Sequence, residues 1–187
     1  MLGSQFASEK TASWLSQRLR DINICLNSAF VEEALTLLYS AIDTLSFLAA
    51  PADVQYVRGE DFIVWSDKYV VPLVPPVFRD GGVTGTDLYA ARCGVLHTSG
   101  AASKKGDEGT AREIYYRFQG RTGVNLMANT PLPAPLVDVE ALVNALEKGS
   151  QSFLADLAQE QAYLGPAAQR AEQFFTWGWL NTSAWRN

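Results

Sequence analysis

Apolar residues recur at helical spacing over most of the chain, which predicts a protein built mainly from α-helices. In "TASWLSQRLRDINICLN" the apolar positions are Trp14, Leu15, Leu19, Ile22 and Leu26. The next run has a broader apolar face and ends at Pro51, so we expect one long helix or two nearly collinear ones, capped at Asn27 or Ser28. A shorter amphipathic segment, "GEDFIVWSDKYVVP", predicts a third helix that stops before Pro72.

The second half of the chain combines helical patterns with one strand pattern. We expect a helix that is capped by Thr86 and runs through the only histidine. "AREIYYRF" and "GVNLMAN", joined by "QGRTG", predict a β-hairpin at about residues 111–128. A Pro-rich linker then leads to a long amphipathic helix from Val137 to about Tyr163, and an aromatic tail covers about residues 171–187. The pattern predicts a single, mainly α domain over residues 1–187 with one inserted hairpin.

Charge is distributed unevenly along this acidic chain. The net charge of −5 argues against a protein that coats nucleic acid, because general phosphate binding needs an excess of Lys and Arg. The segment from Arg92 to Arg121, however, contains six basic residues and only three acidic ones. We therefore expect at most a local site for an anion.

Composition also narrows the setting and the chemistry. Cys25 and Cys93 both lie in apolar helical patterns, where a thiol behaves as a small hydrophobe. The first ten residues lack the apolar core of a signal peptide, and the most hydrophobic run, Ala34 to Ala50, is interrupted by Asp43. These features favour a cytoplasmic protein with no membrane span. No cluster of histidines and cysteines and no phosphate-cradling glycine loop is present, so we predict neither a metal nor a cofactor.

The helix within "DLYAARCGVLHTSG" has distinct faces on a helical wheel. Leu88 and Ala91 point towards the core of the protein. Ala90 and Gly94 form a smooth strip on another side, next to His97, where an element of the same chain or of a second chain could pack closely. A glycine retained by chance at a tolerant position is the alternative explanation.

Arg92 and His97 are the residues of this helix that carry chemistry. A histidine exchanges protons near neutral pH, and an arginine binds phosphate through a planar, permanently charged fork. Together they suit RNA cleavage without a metal, although a histidine on a helix is more often a packing or capping residue. Five residues correspond to about 140° around a helix, so we expect that the two side chains do not meet on one face. They would converge either at a helix end that unwinds after His97 or across a two-fold axis.

The stretch "YAARCGVLHT" resembles the signature of the HEPN superfamily (higher eukaryotes and prokaryotes nucleotide-binding), in which an arginine is followed after four to six residues by a histidine. The upstream segment "LLYSAIDTLSFLA" is also similar to the first core helix of that family. The resemblance covers Phe30 to about Ser99, and the helix from Val137 to Tyr163 in general pattern only. The hairpin looks like an insertion.

The resemblance implies a HEPN-like bundle of four to five helices that dimerises through the motif helices. It implies a metal-independent endoribonuclease in which Arg92 binds the scissile phosphate and His97 is the general base or acid. Members of the family include toxins of toxin–antitoxin pairs, often partnered by a small nucleotidyltransferase, and components of phage defence. Other members have lost the activity and serve as dimerisation, nucleotide-binding or partner-binding modules.

Two neighbours of the motif modify this picture. Cys93 stands where active members usually carry a polar residue, and a thiol is a poor hydrogen-bond donor. It is either a supporting residue or part of the core. Asp43 is a carboxylate on a largely apolar helix, so it is either solvated at the edge of that helix or paired, with Arg92 or His97 as the expected partner.

Basic residues of the hairpin region are candidates for RNA binding. A basic rim would consist of Lys104, Lys105, Arg112, Arg117 and Arg121. Tyr115 and Tyr116 would offer stacking surfaces for bases, or would pack inwards from a solvated hairpin. The sequence therefore leaves two functions open, an RNA-cleaving homodimer and a non-catalytic binding module.

Overall fold

The computed structural model describes residues 2–76, 82–98, 109–122, 135–159 and 166–171, and these residues are mainly helical. The helices are α1 (Leu2–Asn27), α2 (Val31–Ala49), α3 (Gly59–Tyr69), α4 (Gly85–Thr98) and α5 (Val139–Gln159). A 3₁₀ turn at Val71–Leu73 follows α3, and residues 166–171 form a further helical turn. The predicted mainly α fold is confirmed. The segment 172–187, which holds nearly all of the predicted aromatic tail, lies outside the described residues. So do residues 160–163, the end of the predicted last long helix.

The turn between α1 and α2 differs from the predicted side-chain cap. Phe30 precedes α2, and no side chain caps the start of this helix. Instead Ala29 adopts a left-handed conformation (φ 60°), and the Phe30 amide donates a hydrogen bond of 2.8 Å to the Cys25 carbonyl. Backbone hydrogen bonds at the end of α1 thus reverse the chain, so neither Asn27 nor Ser28 acts as the cap.

Helix α2 lies at the centre of the bundle and packs against α1, α3, α4 and α5. Its largest fully buried side chains are Leu38, Tyr39, Ile42, Leu45 and Leu48. Burial of one such leucine contributes about 1.5–3 kcal/mol to stability. Because α2 is held from several sides, a polar residue on it, such as Asp43, has a well-defined position.

Helices α3 and α5 approach each other closely at Gly149. A Cβ atom added there would overlap with the carbonyl oxygen of Tyr69. Phe153 lies one helical turn further on and meets Trp65 edge to face, with ring centroids 5.8 Å apart. The glycine thus allows the backbone contact that the aromatic residues extend.

A hairpin is present at the predicted place, but its second strand begins within the predicted connection, "QGRTG", and the predicted second strand, "GVNLMAN", lies outside the described residues. Strands β1 (Tyr115–Phe118) and β2 (Arg121–Thr122) are antiparallel, and residues 123–128 of the prediction lie outside the described residues. Gln119 (φ 48°) and Gly120 (φ 72°) form the two-residue turn. Positive φ at both turn positions matches the right-handed twist of paired strands.

The sheet contains a third strand that the sequence pattern did not predict. Strand β3 (Leu136–Asp138) pairs in parallel with β1, and the strand order is β2-β1-β3. The sequence places this stretch at the end of the Pro-rich linker and the start of the last helix. Asp138 marks the actual boundary, because its Oδ1 accepts a hydrogen bond of 3.2 Å from the Ala141 amide. Helix α5 therefore begins at Val139.

Candidate functional site

Helix α4 carries the candidate site, and its start is fixed by a reciprocal pair of hydrogen bonds. The Asp87 amide donates to Thr84 Oγ1 (3.1 Å), and the Thr84 amide donates to Asp87 Oδ2 (3.0 Å). This is a capping box, which satisfies amide groups at a helix start. The cap is therefore Thr84, and the prediction of Thr86 was wrong by two residues.

Arg112 completes this arrangement. Its amide donates to Asp87 Oδ1 (2.8 Å), and its Nη2 donates to Asp87 Oδ2 (2.6 Å) and to the Gly82 carbonyl (2.8 Å). Burial alone would raise the pKa of Asp87, but the hydrogen bonds from Arg112 and Thr84 hold it below its ordinary value of 3.8. Arg112 was predicted as an RNA-binding residue. RNA binding by this residue stays a prediction, and its guanidinium is engaged in joining the hairpin region to α4.

Asp43 and Arg92 form an ion pair between α2 and α4. Arg92 Nε and Nη2 lie 2.9 Å and 2.8 Å from Asp43 Oδ2, and the side chains are only 19% and 15% exposed. The prediction that Asp43 pairs with a motif residue is confirmed. Burial raises the pKa of Asp43, and Arg92 and His97 lower it only in part. Burial would lower the pKa of Arg92, but the contact with Asp43 raises it overall, so the guanidinium stays charged.

His97 lies at the exposed edge of the same cluster. Its Nε2 is 3.2 Å from Arg92 Nη1, and the side chain is exposed to solvent. The prediction that the two side chains cannot meet on one face of the helix was wrong, and α4 extends through Thr98. A helical wheel gives only the directions of side chains. Five residues rise about 7.5 Å along the axis, a span that the long arginine side chain can follow.

Cys93 lies beside the ion pair and is half-buried. Its thiol interacts with the guanidinium of Arg92 and with the hydroxyl of Tyr89. Burial raises the pKa of Tyr89, and the neighbouring thiol raises it further. The residue that departs from the HEPN pattern therefore contributes to the raised pKa of the predicted phosphate-binding arginine.

The strip formed by Ala90 and Gly94 is covered within the single chain. Ala90 is 4% exposed, and Gly94 is buried. Of the two partners that the sequence allowed for this strip, the structure shows an element of the same chain. The burial of these two residues argues against a subunit interface there, because a second copy packs on exposed surface.

The other predicted RNA-binding residues fall into different environments. Arg117 pairs with Asp138, with Nε and Nη2 both 3.0 Å from Oδ2, so its charge is balanced locally. Arg121 is exposed on β2. Lys104 and Lys105 lie outside the described residues. Among the described candidates, Arg121 is the one with an exposed side chain for which no ion pair is observed.

The two tyrosines of β1 do not form an open stacking surface. The hydroxyl of Tyr116 is hydrogen-bonded to that of Tyr39, a fully buried residue of α2. Tyr115 is half-buried, and its hydroxyl lies 3.5 Å from Glu113 Oε2. For Tyr116 the structure therefore supports the inward-packing alternative.

Arg170 is an important residue that the sequence did not reveal. It is 6% exposed, and its guanidinium donates to the carbonyls of Phe47, Ala50, Pro51 and Val54 at 2.5–3.0 Å. These carbonyls lie at and after the end of α2, where a helix leaves acceptors unsatisfied. Backbone acceptors leave no signal in a sequence, so this contact could not be found by pattern.

A groove of about 400 Å³ lies between the end of α2 and α3. The charges at its rim are balanced by neighbours. Arg58 contacts Glu60 (2.9 Å) and Asp61 (2.7 Å), and Lys68 contacts Asp156 (2.9 Å). A ligand in this groove would have to compete with existing ion pairs, so the Arg92–His97 cluster is the stronger candidate site.

Searches of the described residues found no group of three or more His, Cys, Asp or Glu side chains placed to hold a metal ion. In the same part of the chain, every helix is too short or too polar to cross a bilayer. No family model matches this chain, and neither a curated protein nor a solved structure is similar enough to be matched.

Proposed function

We propose that this protein is a metal-independent endoribonuclease of the HEPN type. One observation carries the proposal: the imidazole of His97 lies 3.2 Å from the guanidinium of Arg92 at an exposed edge of the fold. The ion pair with Asp43 fixes the guanidinium from its buried side. A permanent positive charge and a titratable ring at one exposed position are the groups that phosphodiester cleavage by the 2′-hydroxyl needs.

In the proposed reaction Arg92 binds a non-bridging oxygen of the scissile phosphate. His97 takes the proton of the 2′-hydroxyl, and the resulting oxygen attacks phosphorus in line with the leaving 5′-oxygen. The products are a 2′,3′-cyclic phosphate and a 5′-hydroxyl, and the leaving oxygen takes up a proton. A positioned general base contributes about 10²–10⁴-fold to such a step, and the guanidinium stabilises the charge that develops on phosphorus oxygens.

The resemblance extends the proposal to partners and location. We expect a cytoplasmic homodimer whose second copy supplies another imidazole, which protonates the leaving oxygen. The contact between copies has to use a surface other than the buried strip of Ala90 and Gly94. An antitoxin or a small nucleotidyltransferase is the expected partner of a toxin with this chemistry.

The test is cleavage of single-stranded RNA in EDTA, with analysis of the product ends. We expect 2′,3′-cyclic phosphates from the native protein and no cleavage by His97→Ala. Because His97 is exposed, this substitution should leave the melting temperature nearly unchanged. Arg58→Gln is the matched control, since it removes an exposed charge at the start of α3, outside the cluster, and should keep both the cleavage and its product ends. Equal cleavage by His97→Ala would contradict the proposal.

The alternative function is a non-catalytic module that dimerises or holds a nucleotide or protein partner. One observation favours it, since two of the predicted RNA-binding arginines, Arg112 and Arg117, are engaged by Asp87 and Asp138. The basic surface of the hairpin region is thereby reduced. Absence of cleavage with any RNA, together with an intact fold, would support this alternative.

A further inference from the structure

We propose that Arg92 blocks His97 in the unliganded protein and that a bound phosphate anion releases it. This inference rests on the proposed function, because it describes how that site is controlled. The inference goes beyond the proposed function by assigning two states to the imidazole of His97. In the blocked state Nε2 accepts a hydrogen bond from Arg92, and in the released state Nε2 is available to the 2′-hydroxyl.

The blocked state follows from the hydrogen-bonding capacity of the two groups. A guanidinium has only donors, so the contact of 3.2 Å between Arg92 Nη1 and His97 Nε2 requires Nε2 to be the acceptor. The imidazole is then neutral, and its proton lies on Nδ1. The lone pair that would remove a proton from RNA is therefore occupied.

Asp43 keeps the guanidinium in this orientation. Its Oδ2 accepts hydrogen bonds from both Nε and Nη2 of Arg92, and this side of the cluster is largely buried. The Nη1 group is thereby directed to the exposed side, where His97 lies. The arginine cannot easily turn away, whereas an exposed imidazole can move without losing buried contacts.

A phosphate oxygen is a better acceptor for Nη1 than a neutral imidazole. Both contacts are charge-assisted, because the guanidinium is ionised, but only the phosphate oxygen also carries a negative charge, which adds a Coulomb attraction that a neutral imidazole lacks. An anion at Nη1 would therefore displace Nε2 and leave its lone pair beside the bound phosphate. The base would become available only where a substrate phosphate is already bound.

The chain has a single histidine, so its imidazole gives one set of nitrogen signals without assignment. We would record long-range ¹H–¹⁵N spectra of the full chain at about pH 8, where an ordinary imidazole is neutral. Without anion, the expected tautomer carries its proton on Nδ1. Added inorganic phosphate should change the ¹⁵N chemical shift of Nε2, and this change should saturate as the phosphate concentration rises.

Two variants test whether the change arises at this site. Arg92→Gln should abolish the response to phosphate. Arg58→Gln should retain it, because Arg58 is an exposed arginine whose own ion pairs lie at the start of α3. A main tautomer with the proton on Nε2, or a phosphate response that persists in Arg92→Gln, would overturn the inference.

The result separates the inference from the proposed function. If the protein cleaves RNA but its unliganded imidazole carries the proton on Nε2, the ribonuclease proposal stands and the blocked state is contradicted. If added phosphate frees Nε2 but the protein cleaves no RNA, the anion-controlled imidazole is supported and the ribonuclease proposal is contradicted. Both readouts use the folded, full-length protein.

Discussion

Two carboxylates on neighbouring helices are each paired with an arginine, yet their pKa values shift in opposite directions. Both oxygens of Asp87 accept hydrogen bonds, from Thr84 and Arg112, and its pKa is lowered. Asp43 uses only Oδ2 for Arg92, and within the described residues its buried Oδ1 has no hydrogen-bond partner. Burial therefore dominates for Asp43, and its pKa is raised. The number of satisfied oxygens, rather than the presence of an arginine, decides the sign.

This difference predicts opposite pH dependences of stability. The lowered pKa of Asp87 means that its ionised form adds stability above its unfolded-state pKa, and that this stability is lost as pH falls through the folded-state value. The raised pKa of Asp43 means that stability decreases as pH rises from its unfolded-state pKa through its folded-state value. Asp87→Asn should lower the free energy of unfolding by about 3 kcal/mol at neutral pH, and this loss should shrink at acid pH.

Urea unfolding of Asp87→Asn, Asp43→Asn and the native protein from roughly pH 3 to 7 measures both effects. For Asp43→Asn, the stability relative to the native protein should rise as the pH increases above about 4. A loss that stays constant over the whole range for Asp87→Asn would show that this carboxylate is not titrating as the geometry implies.

At the scale of elements, the end of α2 depends on a residue from the far end of the described chain. Arg170 donates to four carbonyls there, and within hydrogen-bonding distance it meets no carboxylate among the described residues. Arg170→Met keeps much of the apolar volume but leaves these acceptors without their donor. A buried acceptor that loses its donor costs about 1–3 kcal/mol. For these carbonyls together we expect a loss of about 3 kcal/mol, or a melting temperature lower by about 6–12 °C.

Calorimetry measures this change, with Gln169→Met as the matched control. Gln169 is exposed and lies in the same helical turn, so its substitution should leave the melting temperature within about 2 °C of the native value. Equal melting temperatures for Arg170→Met and the control would show that the carbonyls are satisfied without the guanidinium.

The helices themselves were predictable, whereas several contacts between elements were not. Apolar spacing predicted α2 and α3 because each helix buries one continuous face. Strand β3 was missed because Leu136–Asp138 directly precedes a helix and continues its apolar pattern. The contact between Arg92 and His97 was missed because angular position ignores the reach of an arginine. The pairing of Asp43 was one of two possibilities that the sequence left open, since a carboxylate on an apolar helix is either solvated at its edge or paired.

At the scale of the whole molecule, charge limits how the protein can bind RNA. The net charge is −5, and Arg112 and Arg117 are balanced by carboxylates. If Arg92 and Arg121 make the phosphate contacts, log K against log salt concentration should have a slope of about −1.4, since each contact to single strands contributes about −0.7.

This slope can be measured by titrating fluorescent RNA at several salt concentrations with the His97→Ala variant, which should bind RNA without cleaving it. Adding Arg121→Gln should reduce its magnitude by about 0.7. Adding the charge-neutral pair Arg117→Gln and Asp138→Asn should leave it unchanged. A slope much steeper than that for two contacts would assign binding to further cations, with Lys104 and Lys105 as the first to substitute.

The parallel pairing of β1 with β3 has a consequence for the order of folding. Strand β2 follows β1 after a two-residue turn, whereas β3 pairs with β1 from a more distant position in the chain, so closing that loop costs more conformational entropy. Asp138 links that event to the start of α5, since one carboxylate both caps the helix and holds Arg117 of β1. We therefore expect the third strand and the start of the last long helix to form together rather than independently.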